Sequence, residues 1–170
     1  MLLSPGCRDL AGGQSKVLLL FILRSPTGSG SMSILVVLLP LFVHVTLTFV
    51  LLIGMFVYRR SALIKKEVRF SEIALRQPNW PARATQFGNA YLNQFEMPLL
   101  FYVLTILILF TRQADFVFVL LSWVYVILRI VQSWIHVTSN RVNYRGLAFG
   151  ASSLVLLIMW VLFAVHLYAL

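Results

Sequence analysis

Four runs of apolar residues, at about 34–58, 91–111, 116–137 and 147–169, leave this chain little choice of fold. A hydrocarbon layer ~30 Å thick takes about 20 helical residues to cross. Backbone inside it must bond to itself, which continuous helices do. The expected fold class is therefore an all-α integral membrane protein, a four-helix transmembrane bundle. Of the 170 residues, 60% are hydrophobic and only 11% charged, an apolar share well above that of soluble domains. The connections between the second, third and fourth runs are too short to fold separately. Any chemistry must therefore take place in or beside the bilayer, within one membrane domain at 32–170.

A net charge of +9 invites a nucleic-acid reading, but its distribution argues for a membrane. Seven of the fourteen basic residues, Arg59, Arg60, Lys65, Lys66, Arg69, Arg76 and Arg83, fall in the single long connection at 59–83. Arg141 and Arg145 fall in the connection two crossings later, on the same side. The opposite connection holds Arg112, balanced by Asp115. The positive-inside rule then places both basic connections in the cytoplasm and both chain ends away from it. Anionic lipid is the expected neighbour of such a loop.

Residues 1–31 fit this scheme poorly, because Arg8, Lys16 and Arg24 would lie on the wrong side. Their apolar run "VLLLFIL" is too short to span, whereas Met32 opens directly onto the first full run. We read 1–31 as a dispensable extension or as preceding the native start. The only cysteine, Cys7, lies there, so no intrachain disulfide is expected. Three histidines without ligand spacing give no reason to expect a metal. No buried Ser has a His and an acid at a readable spacing for hydrolysis.

The stretch "GNAYLNQFEMPLLFYV" carries Asn89, Asn93 and Glu96 into the second run at helical spacing. The third run carries Arg129, Gln132 or Ser133, and His136, with Asn140 following at the same period. At 1.5 Å per residue, Glu96 lies about 22 Å from Thr111 and Arg129 about 21 Å from Asp115, so the two share a level. By the same count Asn93 matches Gln132 and Ser133, and Asn89 matches His136. Charge at a helix centre costs about 2.5–3.5 kcal/mol and marks a functional site by default; pairing Glu96 with Arg129 would lower that cost. Two readings stay open. The ladder is a site, opening through Arg141 and Arg145 toward a small anion from the cytosol, or it is interhelical glue. In the fourth run, Gly146 and Gly150 form a small-xxx-small face suited to close helix packing.

At these residues the chain resembles the membrane-associated proteins in eicosanoid and glutathione metabolism, the MAPEG family, and its bacterial members in particular. The resemblance covers Met32 to the C-terminus and rests on "NQFEMP", Asn93 to Pro98, and on the series Arg129, Gln132, His136, Arg141, Arg145. It implies a homotrimer in a bacterial inner membrane, with glutathione, a small thiol, bound near the cytoplasmic face and a lipophilic partner supplied by the lipid. It further implies that Asn93, Glu96, Arg129 and Gln132 hold the tripeptide, and that Arg59 or Arg141 meets a carboxylate. Arg145, with His136, would stabilise the thiolate. The chemistry makes sense without the family, since a nearby cation lowers a thiol pKa from about 8.5.

The chain also departs from the family pattern. His136 stands where the animal synthases have Tyr, and Gln132 where they have His. Asn89 and Leu92 stand where basic residues are found, and Gly146 where the prostaglandin enzyme has Ser. These departures keep the core charges but lose several glutathione contacts, and they point away from prostaglandin or leukotriene synthesis; the leading expectation is a membrane glutathione transferase or peroxidase acting on lipophilic electrophiles or lipid hydroperoxides. A non-catalytic protein using the ladder for assembly or partner modulation is the alternative. A small transporter ranks third, because no internal repeat is visible.

Overall fold

The computed structural model describes residues 32–73 and 79–168; the expectations for 1–31, Cys7 and Arg76 lie outside them. The helices are α1 (Ile34–Ile64), a short α2 (Phe70–Ile73), α3 (Ala82–Leu92), α4 (Met97–Thr111), α5 (Phe116–Val137) and α6 (Val142–Tyr168). A 3-10 turn at Asn93–Phe95 joins α3 to α4. Four helical segments, with α3 and α4 counted as one, are long and apolar enough to cross a membrane. The protein is a multi-pass helical membrane bundle.

Boundaries differ from the sequence expectation where polarity and helicity part company. α1 does not stop at Tyr58 but continues to Ile64, so Arg59 and Arg60 are helical and not in a loop. Its 31 residues rise about 46 Å, more than the hydrocarbon needs, and the last turns carry the basic residues out of it. α6 begins at Val142 rather than 147, so Arg145 sits in its first turns. α5 occupies 116–137 without interruption.

The core lies where α4, α5 and α6 meet α1, around Val37, Phe101, Leu104, Phe118, Tyr125, Val126, Leu156 and Met159. Many large apolar side chains face outward instead, among them Phe56, Phe110 and Leu147. In water such a surface would aggregate, whereas in lipid it is the solvent-facing side. Asp115 starts α5, its Oδ1 accepting from the Phe118 amide at 2.8 Å. Asp115→Ala should therefore cost about 1 kcal/mol, read as a lowered melting temperature in detergent.

α1 and α3 approach closely through glycine. A Cβ at Gly54 would lie 2.5 Å from two carbons of the Phe87 ring, and that ring is already stacked on Tyr58 at 4.7 Å. Gly54→Leu should thus cost about 1–3 kcal/mol by overpacking, which a melting curve in detergent would record. Gly146 and Gly150 behave otherwise. No atom lies within 4 Å of a Cβ built at either, so their expected packing face is not used within the chain's described residues.

Candidate functional site

Pro98 decides the local geometry of the second span. Lacking an N–H and clashing with the carbonyl four residues before it, it interrupts the helix; the chain passes through the 3-10 turn, and Glu96 takes φ −83°, ψ −95°. A 3-10 turn advances 120° per residue rather than 100°, so the polar stripe shifts. Gln94 turns inward and is buried, with Nε2 donating to Ser133 Oγ at 3.0 Å and to the Ala90 carbonyl at 3.1 Å. The sequence reading placed Asn93 at that level.

Arg129 is fully buried. Its Nη2 donates to the Asn93 carbonyl at 2.6 Å and reaches Asn93 Oδ1 at 3.3 Å and Gln94 Oε1 at 3.4 Å. Its guanidinium carbon lies 5.9 Å from the centre of the Phe149 ring on α6, within cation–π range. The expected pairing with Glu96 does not form: Glu96 is exposed, and no ion pair joins it to Arg129 among the described residues. The break in the helix is the reason, since it turns Glu96 outward and offers Arg129 a backbone carbonyl in its place. Asn89, expected level with His136, is likewise exposed.

The other half of the ladder gathers at the α5–α6 turn. Arg145 Nη1 donates at 2.9 Å both to His136 Nε2 and to Asn140 Oδ1. An arginine nitrogen only donates, so His136 accepts at Nε2 and, as a neutral ring, keeps its proton on Nδ1. Asn140 makes the turn possible by adopting φ 47°, a left-handed conformation that Asn tolerates well. Arg83, which the sequence reading left among the loop charges, donates from Nη1 to the Val137 carbonyl at 2.9 Å. It satisfies one of the orphan carbonyls at the end of α5.

Several buried polar atoms of this cluster have no partner: Arg129 Nε and Nη1, Gln132 Oε1 and His136 Nδ1. Unpaired buried groups are costly and rare, each calling for a reason. The remaining sequence candidates lie at the margin. Arg59 stacks on Trp80, with its guanidinium carbon 4.9 Å from the ring centre, and Arg141 is exposed. His44, to which the sequence reading gave no role, is a core residue, bonded to Tyr102 Oη at 2.8 Å and stacked on Tyr125.

A family model, the MAPEG family, matches residues 37–165. The matched region takes in nearly all of the four spans and every member of the buried cluster. The chain belongs to the MAPEG family. It is thus a membrane protein of a family concerned with glutathione and eicosanoid metabolism. No curated protein and no solved structure matches the chain. Among the described residues, no group of three His, Cys, Asp or Glu side chains could hold a metal ion.

Proposed function

We propose that this MAPEG protein is a glutathione-dependent transferase or peroxidase acting on lipophilic electrophiles or lipid hydroperoxides. In this reading it works as a homotrimer in a bacterial inner membrane, with the α5–α6 turn toward the cytoplasm and both chain ends away from it. The observation that carries the reading is the held guanidinium of Arg145, fixed by Asn140 and by His136, whose own Nδ1 is buried without a partner. Arg129 Nε and Nη1 and His136 Nδ1 are donors suited to glutathione carboxylates and carbonyls. Gln132 Oε1 is an acceptor for its amide or amino groups, and the outward Glu96 carboxylate suits its ammonium. Arg59 and Arg141 would act at the periphery.

The chemistry needs little more than a thiolate held where the membrane delivers its target. A cation beside the sulfur favours the charged form, which alone attacks; holding both reactants supplies the proximity term. With an electrophile, sulfur forms a bond to carbon and the leaving group departs with its electron pair. With a hydroperoxide, sulfur attacks the terminal oxygen and the O–O bond breaks. The alkoxide then takes a proton, and a second glutathione displaces water to give the disulfide. In this scheme His136 positions Arg145 rather than accepting the thiol proton at Nε2, because that nitrogen already accepts from the guanidinium.

Calorimetric titration of the detergent-solubilised protein with glutathione, read together with thiolate absorbance, tests the proposal. Saturable binding with a thiolate signal below the pH at which free thiols ionise supports it. S-methylglutathione should bind without that signal. Absence of binding at millimolar thiol would overturn it. The alternative, a ladder that only ties helices together, draws support from the Gln94–Ser133 and Arg129–Asn93 bonds, which do cross between the second and third spans.

A further inference from the structure

At the end of the bundle away from Arg145, a cleft of about 210 Å³ opens between the end of α4, the start of α5 and the end of α6. Met159 in its wall is fourteen residues along α6 from Arg145, about 21 Å of helix. The proposed glutathione reaction makes no use of it. Its wall is apolar, with Ile108, Met159 and Phe163 all buried, while Gln113, Asp115 and His166 form its polar lining. Both side-chain polar atoms of Gln113 are buried and lack a partner, which is unusual for an amide.

We infer that this cleft binds a neutral single-chain lipid with a hydroxylated head group, of the monoacylglycerol type, with its head at Gln113 and its chain along Met159 and Phe163. Size selects one chain: an apolar cavity of about 150 Å³ takes a benzene ring, so 210 Å³ accommodates a segment of one alkyl chain but not two. Charge selects a neutral head. The lining holds two titratable groups, Asp115 and His166; the Asp115 carboxylate disfavours a fatty-acid carboxylate or a phosphate, the imidazole can accept from or donate to a hydroxyl, and a quaternary ammonium has no N–H to give Gln113 Oε1. A glycerol monoester carries two hydroxyls, one to donate to Oε1 and one to accept from Nε2. The three chain segments that form the cleft end or begin beside it, so the opening lies at the membrane surface, where such head groups reside.

The test is photolabelling of the full chain in detergent with a diazirine-bearing monoacylglycerol, against a fatty acid of the same chain length and label. Peptide mapping should place the ester's label on the first turns of α5 and the last turns of α6, with at least fivefold less from the acid. Leu121→Trp, which fills the cleft from its wall, should cut labelling at least fivefold. Val117→Trp does the same from an exposed position and decides the matter if the first variant fails to fold. Gln113→Leu should cut labelling by the ester several-fold, and Asp115→Asn, which keeps an N-cap oxygen, should raise labelling by the acid and narrow the preference for ester over acid. Equal labelling by the two probes, label confined to other helices, or undiminished labelling of Val117→Trp would overturn the inference. None of these outcomes depends on glutathione binding.

Discussion

Arg129→Met should leave the solubilised protein about as stable as the parent and should abolish glutathione binding. Two terms oppose each other in stability. The substitution loses the 2.6 Å bond to the Asn93 carbonyl, and a hydrogen bond to a charged group contributes about 1.5–3 kcal/mol. It also removes a charge from mid-span, which costs about 2.5–3.5 kcal/mol there. The weaker contacts to Asn93 Oδ1 and Gln94 Oε1 and the cation–π contact with Phe149 are lost as well, so the sum lies near zero, helped by a flexible methionine side chain that refills most of the volume. Binding has no such compensation. Removing a buried charged contact typically costs 2–5 kcal/mol, roughly a 30-fold or greater loss at 1.4 kcal/mol per tenfold. A melting curve and a calorimetric titration on the same preparation separate the readings. If the ladder is only glue, the variant should melt earlier and lose its oligomer.

That contrast follows from what Arg129 lacks. A purely structural arginine in a membrane core would be expected to spend its donors on neighbours, yet Nε and Nη1 have none. The chain carries a buried charge with three of its five N–H donors unused. Such an expense is easier to understand as readiness for an anionic ligand than as a tie between helices, for which the Gln94–Ser133 bond already serves at no cost in charge.

The spans were legible because hydropathy over 20 residues averages away local detail, and the buried Arg129, Gln132 and His136 were legible because α5 is a regular helix with a 3.6-residue period. The second span defeated the same arithmetic. "NQFEMP" contains the signal, since Pro98 forbids a continuous helix, but counting at 100° per residue turned Asn93 and Glu96 inward where the 3-10 turn instead buries Gln94. The Arg145–His136 contact joins residues nine apart across a reversal, and its closure depends on the left-handed Asn140, which periodicity does not encode. Arg83 was hidden for a different reason. Among seven basic residues of one loop, nothing in the sequence distinguishes the one that reaches the end of α5.

Arg145→Ala should remove the thiolate signal while leaving the fold intact, because its side-chain bonds are confined to the α5–α6 turn. A glutathione thiol without its cation returns to a pKa of about 8.5, so at pH 7 only about 3% is ionised. In the parent, the thiolate band should persist well below pH 8.5. In the variant it should emerge only as pH rises through that value, and turnover at pH 7 should fall by more than tenfold. His136 then distinguishes anchor from base. His136→Phe deletes the acceptor for Nη1 and should shift the thiolate titration part-way toward that of Arg145→Ala. His136→Gln offers an amide oxygen to the same nitrogen and should titrate close to the parent, since an anchor needs only a lone pair. If His136→Gln instead loses turnover as completely as His136→Phe, the imidazole is moving a proton. The contact with Arg145 would then be a resting arrangement that opens before the thiol ionises.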